Sequence, residues 1–140
     1  MFLYKRTIHL SETDATGVLY FSQAFKIAQE AFEVFLSSRE FSLNEMISKE
    51  DFVMPIVHAQ SDYTVPLRVG DAVEIQLEAI EVGRSSFTLC TRFYDPRRDV
   101  EVGTTKIVHV VVSKQTGKSI SIPPAISEIL GELSSFQRML

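Results

Sequence analysis

The sequence predicts an α+β fold in which one long apolar helix packs against a curved antiparallel sheet. Two observations lead to this prediction. From about Phe21 to Ser37, apolar residues recur at helical spacing. After Phe52 the pattern changes to the alternation typical of strands, with short turns between them. Tight turns join antiparallel neighbours, and one helix laid on such a sheet buries the apolar faces of both.

The first third of the chain is predicted to form a strand followed by two helices. Apolar and polar residues alternate loosely from Tyr4 to Leu10, which favours a first strand. A turn containing Asp14 leads into the long helix. Ser42 and Glu45 then have the spacing of a capping box, which predicts a second, short helix.

The remainder is predicted to hold four strands and a C-terminal helix. The strands are separated by turn signals at residues 69–71, 83–84 and 95–99. Pro123-Pro124 precedes the last helix, so we expect one domain over residues 1–140 with 123–140 as a helical extension. The predicted strands are Phe52–Pro66, Val73–Ala79, Phe87–Tyr94 and Glu101–Ser113.

Composition excludes several classes of protein. The net charge of −4 argues against general nucleic-acid binding. A single cysteine, Cys90, excludes an internal disulfide and a multi-cysteine metal site. No apolar run approaches the roughly 20 residues of a membrane span. Because the N-terminus has a charged strand pattern where a signal peptide would be apolar, we expect a cytoplasmic protein.

Asp14 is the first candidate for chemistry. It lies in a short turn between the first strand and the N-terminus of the long helix. Unpaired amides and the positive end of the helix dipole stabilise negative charge there. A carboxylate beside such a site is suited to acyl transfer. Aspartate is also a common turn residue, so a structural role is the alternative.

Three segments in order carry a family resemblance: residues 13–21 (TDATGVLYF), 62–71 (DYTVPLRVGD) and 83–87 (GRSSF). With them the sequence resembles the hot-dog fold thioesterases of the 4-hydroxybenzoyl-CoA thioesterase type. Residues 55–59 (PIVHA), taken with the first segment, are similar to the 1,4-dihydroxy-2-naphthoyl-CoA hydrolases of menaquinone and phylloquinone biosynthesis. The resemblance spans roughly residues 5–113.

The resemblance implies specific roles. Asp14 would be the catalytic carboxylate, acting as nucleophile or as base toward water. The backbone N–H of Phe21 would bind the thioester oxygen, and Gly17 would let the turn approach the substrate. The further residues expected to bind substrate, the last three through its CoA portion, are Tyr20, His58, Arg84, Ser85 and Ser86.

The resemblance also implies what accompanies the reaction. A thioester is already electrophilic, so we expect no metal and no cofactor, with coenzyme A being part of the substrate. Relatives of this type form dimers or tetramers with the active site between subunits. We therefore expect a homo-oligomer whose carboxylate and CoA-binding residues come from different chains, with no nucleic acid and no membrane span.

Structural interpretations compete with each of these roles. Tyr20 and Phe21 are interpreted as core aromatics as far as their side chains are concerned. His58 fits a packed strand residue as well as a pocket residue, and residues 84–86 fit a plain hairpin turn. Glu30 is a rival for catalysis, since a second hot-dog subtype uses a helix glutamate. Further basic candidates for the CoA phosphates, chosen on charge alone, are Arg97, Arg98, Lys114 and Lys118.

The sequence thus predicts an acyl-CoA thioesterase that prefers an aromatic acyl group. Alternatives are a short- or medium-chain acyl-CoA or acyl-carrier-protein thioesterase, and an acyl-CoA binding module without turnover. A hydratase on this fold uses a histidine near the helix start, but the sixth residue after Asp14 is Tyr20. Cys90, His9 and His109 are interpreted as packing or strand residues.

Overall fold

The computed structural model of the protein describes residues 1–134. Its α+β architecture confirms the prediction: one long helix lies against a five-stranded antiparallel sheet. The elements are β1 (Phe2–Thr7), α1 (Phe21–Ser38), α2 (Leu43–Lys49), β2 (Phe52–Val53), β3 (Ile56–Tyr63), β4 (Ala72–Val82), β5 (Ser86–Asp95), β6 (Val100–Val110), β7 (Val112–Ser113) and α3 (Pro124–Leu133). The sheet order is β1-β4-β5-β6-β3, and β2 pairs with β7 in a separate ribbon.

The apolar stripe of α1 is buried against the sheet, as its spacing predicts. Phe32 and Phe35 lie in one hydrophobic cluster with Phe87 of β5. Ile27, nearer the N-terminus of α1, lies in a second cluster with Ile75 of β4. The alternation in β4 sends every second side chain into these clusters, because successive strand residues point to opposite faces.

Three predicted strand boundaries are wrong. The first strand ends at Thr7, since the chain then enters a 3₁₀ turn over Leu10–Glu12 that is closed by the His9 amide donating to the Glu12 carboxylate (2.9 Å). The segment Phe52–Pro66 is two strands, β2 and β3, because Pro55 lacks the N–H that a continuous ladder needs. The segment Glu101–Ser113 is likewise divided between β6 and β7 at Val111, whose amide leaves the ladder for the Ser85 carbonyl.

The helical predictions outside α1 are confirmed in the described residues. The Ser42 hydroxyl accepts a hydrogen bond from the Glu45 amide (3.1 Å) and caps α2. α3 begins at Pro124 and ends at Leu133. The predicted extension continues to residue 140, and its residues 135–140 lie outside the described part. Within residues 1–134 no helix is both long and apolar enough to span a bilayer.

The sheet has two ends that matter for function. At the first, called the loop end, Thr7 of β1 pairs with Ala72 of β4 and the Asp14 turn follows. At the second, called the hairpin end, residues 83–85 join β4 to β5. The edge strand β3 connects them, with Tyr63 at the loop end and Ile56 at the hairpin end. Since β4 has 11 residues, the two ends are about 33 Å apart.

Candidate active site

Asp14 lies in a small closed loop, residues 13–19, which we call the Asp14 loop. A bridge between Thr13 and Leu19 closes it, and the Asp14 amide donates to the Val18 carbonyl at 2.8 Å. Just outside, the Tyr20 amide donates to the Glu12 carbonyl at 2.9 Å. These bonds form a miniature hairpin that contains Asp14 and ends at Tyr20, the residue that precedes α1. The carboxylate and the helix start are therefore held at the same end of the molecule.

The Asp14 carboxylate is half engaged and half free. Its Oδ1 accepts hydrogen bonds from the Thr16 hydroxyl (2.6 Å), the Thr16 amide (2.7 Å) and the Val18 amide (3.3 Å). These bonds, led by the Thr16 hydroxyl, lower the pKa of Asp14 below its ordinary value. The side chain is exposed, and within residues 1–134 its Oδ2 receives no hydrogen bond. The hydrogen bonds of the turn therefore use Oδ1 and leave Oδ2 for a chemical role.

The N-terminus of α1 offers backbone amides to a ligand. Tyr20 is the N-cap residue and supplies no side-chain cap, and Phe21 is the first helical residue. The hydroxyl of Tyr63, at the end of β3, donates to the Phe21 carbonyl and ties the helix start to the edge strand. Tyr20 and Phe21 are 45% and 59% exposed, with ring centroids 4.6 Å apart. Their interpretation as core aromatics is therefore wrong for the chain as described.

Gly17 is needed for its backbone conformation. Its φ is +79°, in the left-handed region that costs other residues energy. A Cβ added there would lie 4.0 Å from Val69, an ordinary contact, so space is not the constraint. The Gly17 amide donates to the Asp14 carbonyl (3.1 Å). Gly17 thus shapes the loop that presents the aspartate.

A cleft adjoins the Asp14 loop. It has a volume of about 270 Å³ and opens between the loop and the segment that follows β3. Its walls are mainly apolar, which suits an uncharged part of a ligand better than a charged group. The lining residues are Val18, Leu19, Tyr63, Thr64, Val65, Pro66 and Leu67.

The other predicted substrate residues lie at the hairpin end. His58 is exposed on β3, with its Nε2 3.1 Å from the Gln60 side-chain oxygen. Arg84 is exposed, and its Nε donates to the Ser121 hydroxyl at 3.2 Å. The backbone around Ser85 is fixed by the Val111 amide, which donates to the Ser85 carbonyl at 2.8 Å. Within one chain these residues do not meet Asp14, since the length of the sheet separates them.

A second apolar cavity lies near the hairpin end, between α1, α2 and the start of β3. Its volume is about 290 Å³. His109 of β6 is buried in its wall, stacks on Phe87 and donates from Nδ1 to the Met54 carbonyl at 2.9 Å. Burial lowers the pKa of His109, which favours a neutral ring with an accepting Nε2. The cavity is lined by Gln29, Phe32, Leu43, Met46, Ile47, Val53, Met54, Pro55 and His109.

Sequence reasoning assigned His109 to a strand, which is confirmed, but missed this cavity. The Gln29 side-chain nitrogen lies 3.4 Å from His109 Nε2, so an amide and an imidazole form a polar spot among apolar side chains. No spacing in the sequence joins residues 80 positions apart. The signal available in the sequence was helical periodicity, which places the polar residue Gln29 beside the buried apolar stripe of α1.

Sequence reasoning also missed a buried ion pair beneath the Asp14 loop. Glu12 is 1% exposed, and Arg6 Nη2 lies 2.7 Å from both of its carboxylate oxygens. Burial raises the pKa of Glu12, but bonds from the His9 amide and Arg6 outweigh it and lower the pKa overall. Glu30, the rival for catalysis, accepts from the Tyr4 hydroxyl at 3.0 Å and lies 3.4 Å from Arg6 Nε. It belongs to this cluster.

Some of the remaining candidates are engaged elsewhere. Arg98 Nε donates to Asp95 Oδ2 at 2.5 Å, within the β5–β6 turn. Lys114 donates to the Ile47 carbonyl near the C-terminus of α2, where a cation is favourable. Cys90 is buried and burial raises the pKa of its thiol, which fits a packing residue.

Comparisons with known proteins identify the family. The model of the thioesterase-like superfamily matches residues 8–130. A 1,4-dihydroxy-2-naphthoyl-CoA hydrolase from Prochlorococcus marinus (strain NATL2A) is 34% identical over 138 residues, covering 94% of this chain and 88% of the relative. One from Synechococcus elongatus is 32% identical over 128 residues, covering 91% and 93%.

Solved structures agree with the sequence relatives. A 1,4-dihydroxy-2-naphthoyl-CoA thioesterase from Synechocystis superposes with a TM-score of 0.88 at 29% identity, over 94% of this chain and 96% of that one. A gentisyl-coenzyme A thioesterase superposes with a TM-score of 0.78 at 25% identity, over 89% and 98%. Both are thioesterases with hydroxylated aromatic acyl groups in their names.

Proposed function

This chain belongs to the thioesterase-like superfamily and is an acyl-CoA thioesterase, and we propose that its substrate is 1,4-dihydroxy-2-naphthoyl-CoA. The free acid would then serve a later step of quinone biosynthesis. The observation that carries the mechanism is the Oδ2 of Asp14, which receives no hydrogen bond within residues 1–134 and belongs to the loop that leads into the start of α1, where Tyr20 supplies no side-chain cap. The relatives named for this substrate support the choice of acyl group. A CoA thioester is too polar to cross a membrane unaided, which supports a cytoplasmic location.

The proposed reaction needs two things from the chain. The Phe21 amide binds the thioester oxygen and stabilises the negative charge that develops on it. Asp14, held ionised by the bonds to Oδ1, directs Oδ2 at the carbonyl carbon or at a water molecule beside it. If Asp14 attacks, the C–S bond breaks as an acyl-aspartyl anhydride forms, the coenzyme A thiolate takes a proton from solvent, and water then hydrolyses the anhydride to the free acid and the Asp14 carboxylate. If Asp14 acts as base, it takes a proton from the water that adds to the carbonyl carbon, and this proton passes to the coenzyme A thiolate as the C–S bond breaks. No step requires a cofactor, because the thiolate is a good leaving group.

We propose further that two copies join along β3. Strand β3 is at the edge of the sheet, and seven of its eight residues are exposed. Ile56, Val57 and Tyr63 are 46%, 61% and 46% exposed, an apolar edge of the kind that proteins usually cover. Antiparallel pairing of two β3 strands about a twofold axis puts the loop end of one copy beside the hairpin end of the other.

This pairing would reunite the two groups of candidate residues. Asp14 and Phe21 of one copy would face His58 and the 84–86 hairpin of the second. The cavity lined by His109 would come near the same carbonyl, because His109 pairs with Ile56 at that end of β3. We propose that this cavity receives the aromatic acyl group. Its apolar walls fit fused rings, and Gln29 with His109 Nε2 fits a ring hydroxyl.

The proposal is tested by a substrate panel and one isosteric variant. Purified protein is incubated with 1,4-dihydroxy-2-naphthoyl-, gentisyl-, 4-hydroxybenzoyl-, butyryl- and palmitoyl-CoA, and free CoA is measured with a thiol reagent. We expect the highest kcat/KM for the naphthoyl thioester. Higher values for butyryl- or palmitoyl-CoA would contradict the aromatic assignment. Release of no CoA from any thioester would instead favour a binding module.

Asp14→Asn keeps the shape of the side chain but removes the carboxylate. We expect kcat to fall by about 10²–10⁴-fold with the melting temperature nearly unchanged. Asp51→Asn, at an exposed position before β2, is the matched control and should keep the wild-type rate.

The proposed pairing along β3 is tested by light scattering, which should give at least twice the mass of one chain. A monomer that is fully active would contradict the shared site.

A further inference from the structure

The buried cluster beneath the Asp14 loop joins three elements. Arg6 comes from β1, Glu12 from the 3₁₀ turn, and Lys26 and Glu30 from α1. Arg6 Nη2 contacts both Glu12 oxygens at 2.7 Å, and Arg6 Nε lies 3.4 Å from Glu30. Lys26 Nζ, on an exposed side chain, lies 3.7 Å from Glu12 Oε2. The Glu12 carboxylate is thus the point where β1 and α1 are both linked to the turn.

The position of Glu12 gives this link a consequence for the site. Its amide, its carbonyl and its carboxylate are all used: the amide donates to His9, the carbonyl accepts from Tyr20, and Oε1 accepts from the His9 amide. Tyr20 directly precedes Phe21, and Glu12 lies two residues before Asp14. One residue therefore holds both arms of the Asp14 loop at their base.

The same cluster is a poor source of stability. The side chains of Arg6 and Glu12 are 7% and 1% exposed, so both charges have lost their water. Arg6 Nη1 is buried and finds no hydrogen-bond partner in residues 1–134. Replacing such a pair by apolar residues of similar volume is often neutral or stabilising. A fixed geometry is what the ion pair supplies and an apolar pair does not.

We propose that Arg6 and Glu12 are positioning residues for thioester hydrolysis, setting the Asp14 carboxylate and the Phe21 amide at their working separation through the links to β1 and α1. They touch no substrate atom. The proposal rests on the hydrolase function assigned above. The observation specific to it is how strongly the backbone of the Asp14 loop is protected from hydrogen exchange. Loosening the base of the loop moves Oδ2 relative to the helix start, and small misplacements of reacting groups are costly to rate.

The test compares two double variants with the same chemistry. Arg6→Met with Glu12→Leu replaces the buried pair. Arg39→Met with Glu132→Leu replaces an ion pair between the C-cap residue of α1 and α3, whose side chains are 41% and 46% exposed. We expect the first variant to keep its melting temperature within a few degrees and its KM within about twofold, while kcat falls about tenfold or more. The second variant should keep the wild-type kcat.

Hydrogen exchange supplies a readout that does not depend on turnover. In the first variant the amides of Thr16, Val18 and Tyr20 should exchange faster, while amides in the middle of α1 keep their protection. A kcat within twofold of wild type together with unchanged exchange in the loop would overturn the proposal. If the wild type released no CoA, the hydrolase assignment would fail, yet the exchange result would still decide whether the pair orders the loop.

A second variant covers the case in which the first does not fold. Glu12→Gln keeps the size of the side chain and an oxygen for the His9 amide, but removes the charge that faces Arg6. Assayed well below its melting temperature, it should show lower kcat with little change in KM. Wild-type kcat in folded Glu12→Gln would contradict the positioning role. A fall in stability alone would assign the pair to folding.

Discussion

Gly17→Ala separates the shape of the Asp14 loop from its chemistry. The φ of +79° at Gly17 costs an alanine about 1–2 kcal/mol, whereas among residues 1–134 the added Cβ meets only Val69, at 4.0 Å. The free energy of unfolding should therefore fall by about 1–2 kcal/mol, which lowers the melting temperature by roughly 3–8 °C in a domain of this size. Relief of the strain shifts Asp14, and we expect kcat to fall about 10- to 100-fold.

Gly117→Ala is the matched control. Gly117 has a φ of +71°, no atom of residues 1–134 lies within 4 Å of an added Cβ, and the turn it occupies follows β7. The same strain should give a similar loss of stability, with kcat unchanged. Calorimetry and initial rates at saturating substrate check both variants. Equal kcat values in Gly17→Ala and Gly117→Ala would refute the role of the loop conformation in catalysis.

Three further outcomes follow from the charges of the site. Arg84→Ala should raise KM about fivefold and leave kcat nearly unchanged, because a solvent-exposed contact to CoA phosphate contributes about 1 kcal/mol. An unchanged KM would show that Arg84 does not contribute to substrate binding. Hydrogen bonds from Thr16 hold the pKa of Asp14 in the free chain below its ordinary value of 3.8, so the carboxylate persists on acidification and kcat/KM should stay level down to ~pH 4. An acid limb of kcat/KM near pH 5 would point to another group. The pKa of His109 is lowered from 6.5, so its contribution to stability is present above pH 6.5 and is lost as the pH falls toward the lowered pKa. Urea unfolding should show that loss in wild type, and His109→Gln should abolish it.

The sequence predicted the architecture because its main signals are local. Helical spacing from Phe21 onward and the alternation in β4 each depend on residues a few positions apart. The division of Phe52–Pro66 into two strands was also visible, since Pro55 cannot donate to a ladder, but nothing local showed that β2 turns to β7. Periodicity predicts which face is buried, and strand partners depend on the whole fold.

Only the contiguous part of the candidate site could be located from the sequence. The Asp14 loop and the start of α1 are contiguous in sequence, so motif and geometry coincide there. Arg6 and Glu12 meet across a chain reversal, and Gln29 meets His109 across 80 positions. Such contacts arise from packing and leave no spacing to detect. The distance between Asp14 and the 84–86 hairpin is a further feature that only the sheet register reveals.

That distance gives the proposed dimer a direct test by mixing two chains with different defects. If a site takes Asp14 from one copy and Arg84 from the other, a dimer of Asp14→Asn with Arg84→Ala holds one intact site and one doubly defective site. Refolding the two variants together at equal amounts makes about half of the dimers mixed. At substrate well below KM their intact sites should give roughly a quarter of the wild-type rate, and the Arg84→Ala homodimers, with KM raised about fivefold, should add roughly a twentieth. Arg84→Ala refolded alone should keep about a fifth of the wild-type rate under those conditions, and Asp14→Asn almost none. If Asp14 and Arg84 of the same chain served one site, no mixed dimer would hold an intact site, and the mixture would be no faster than the average of its parents.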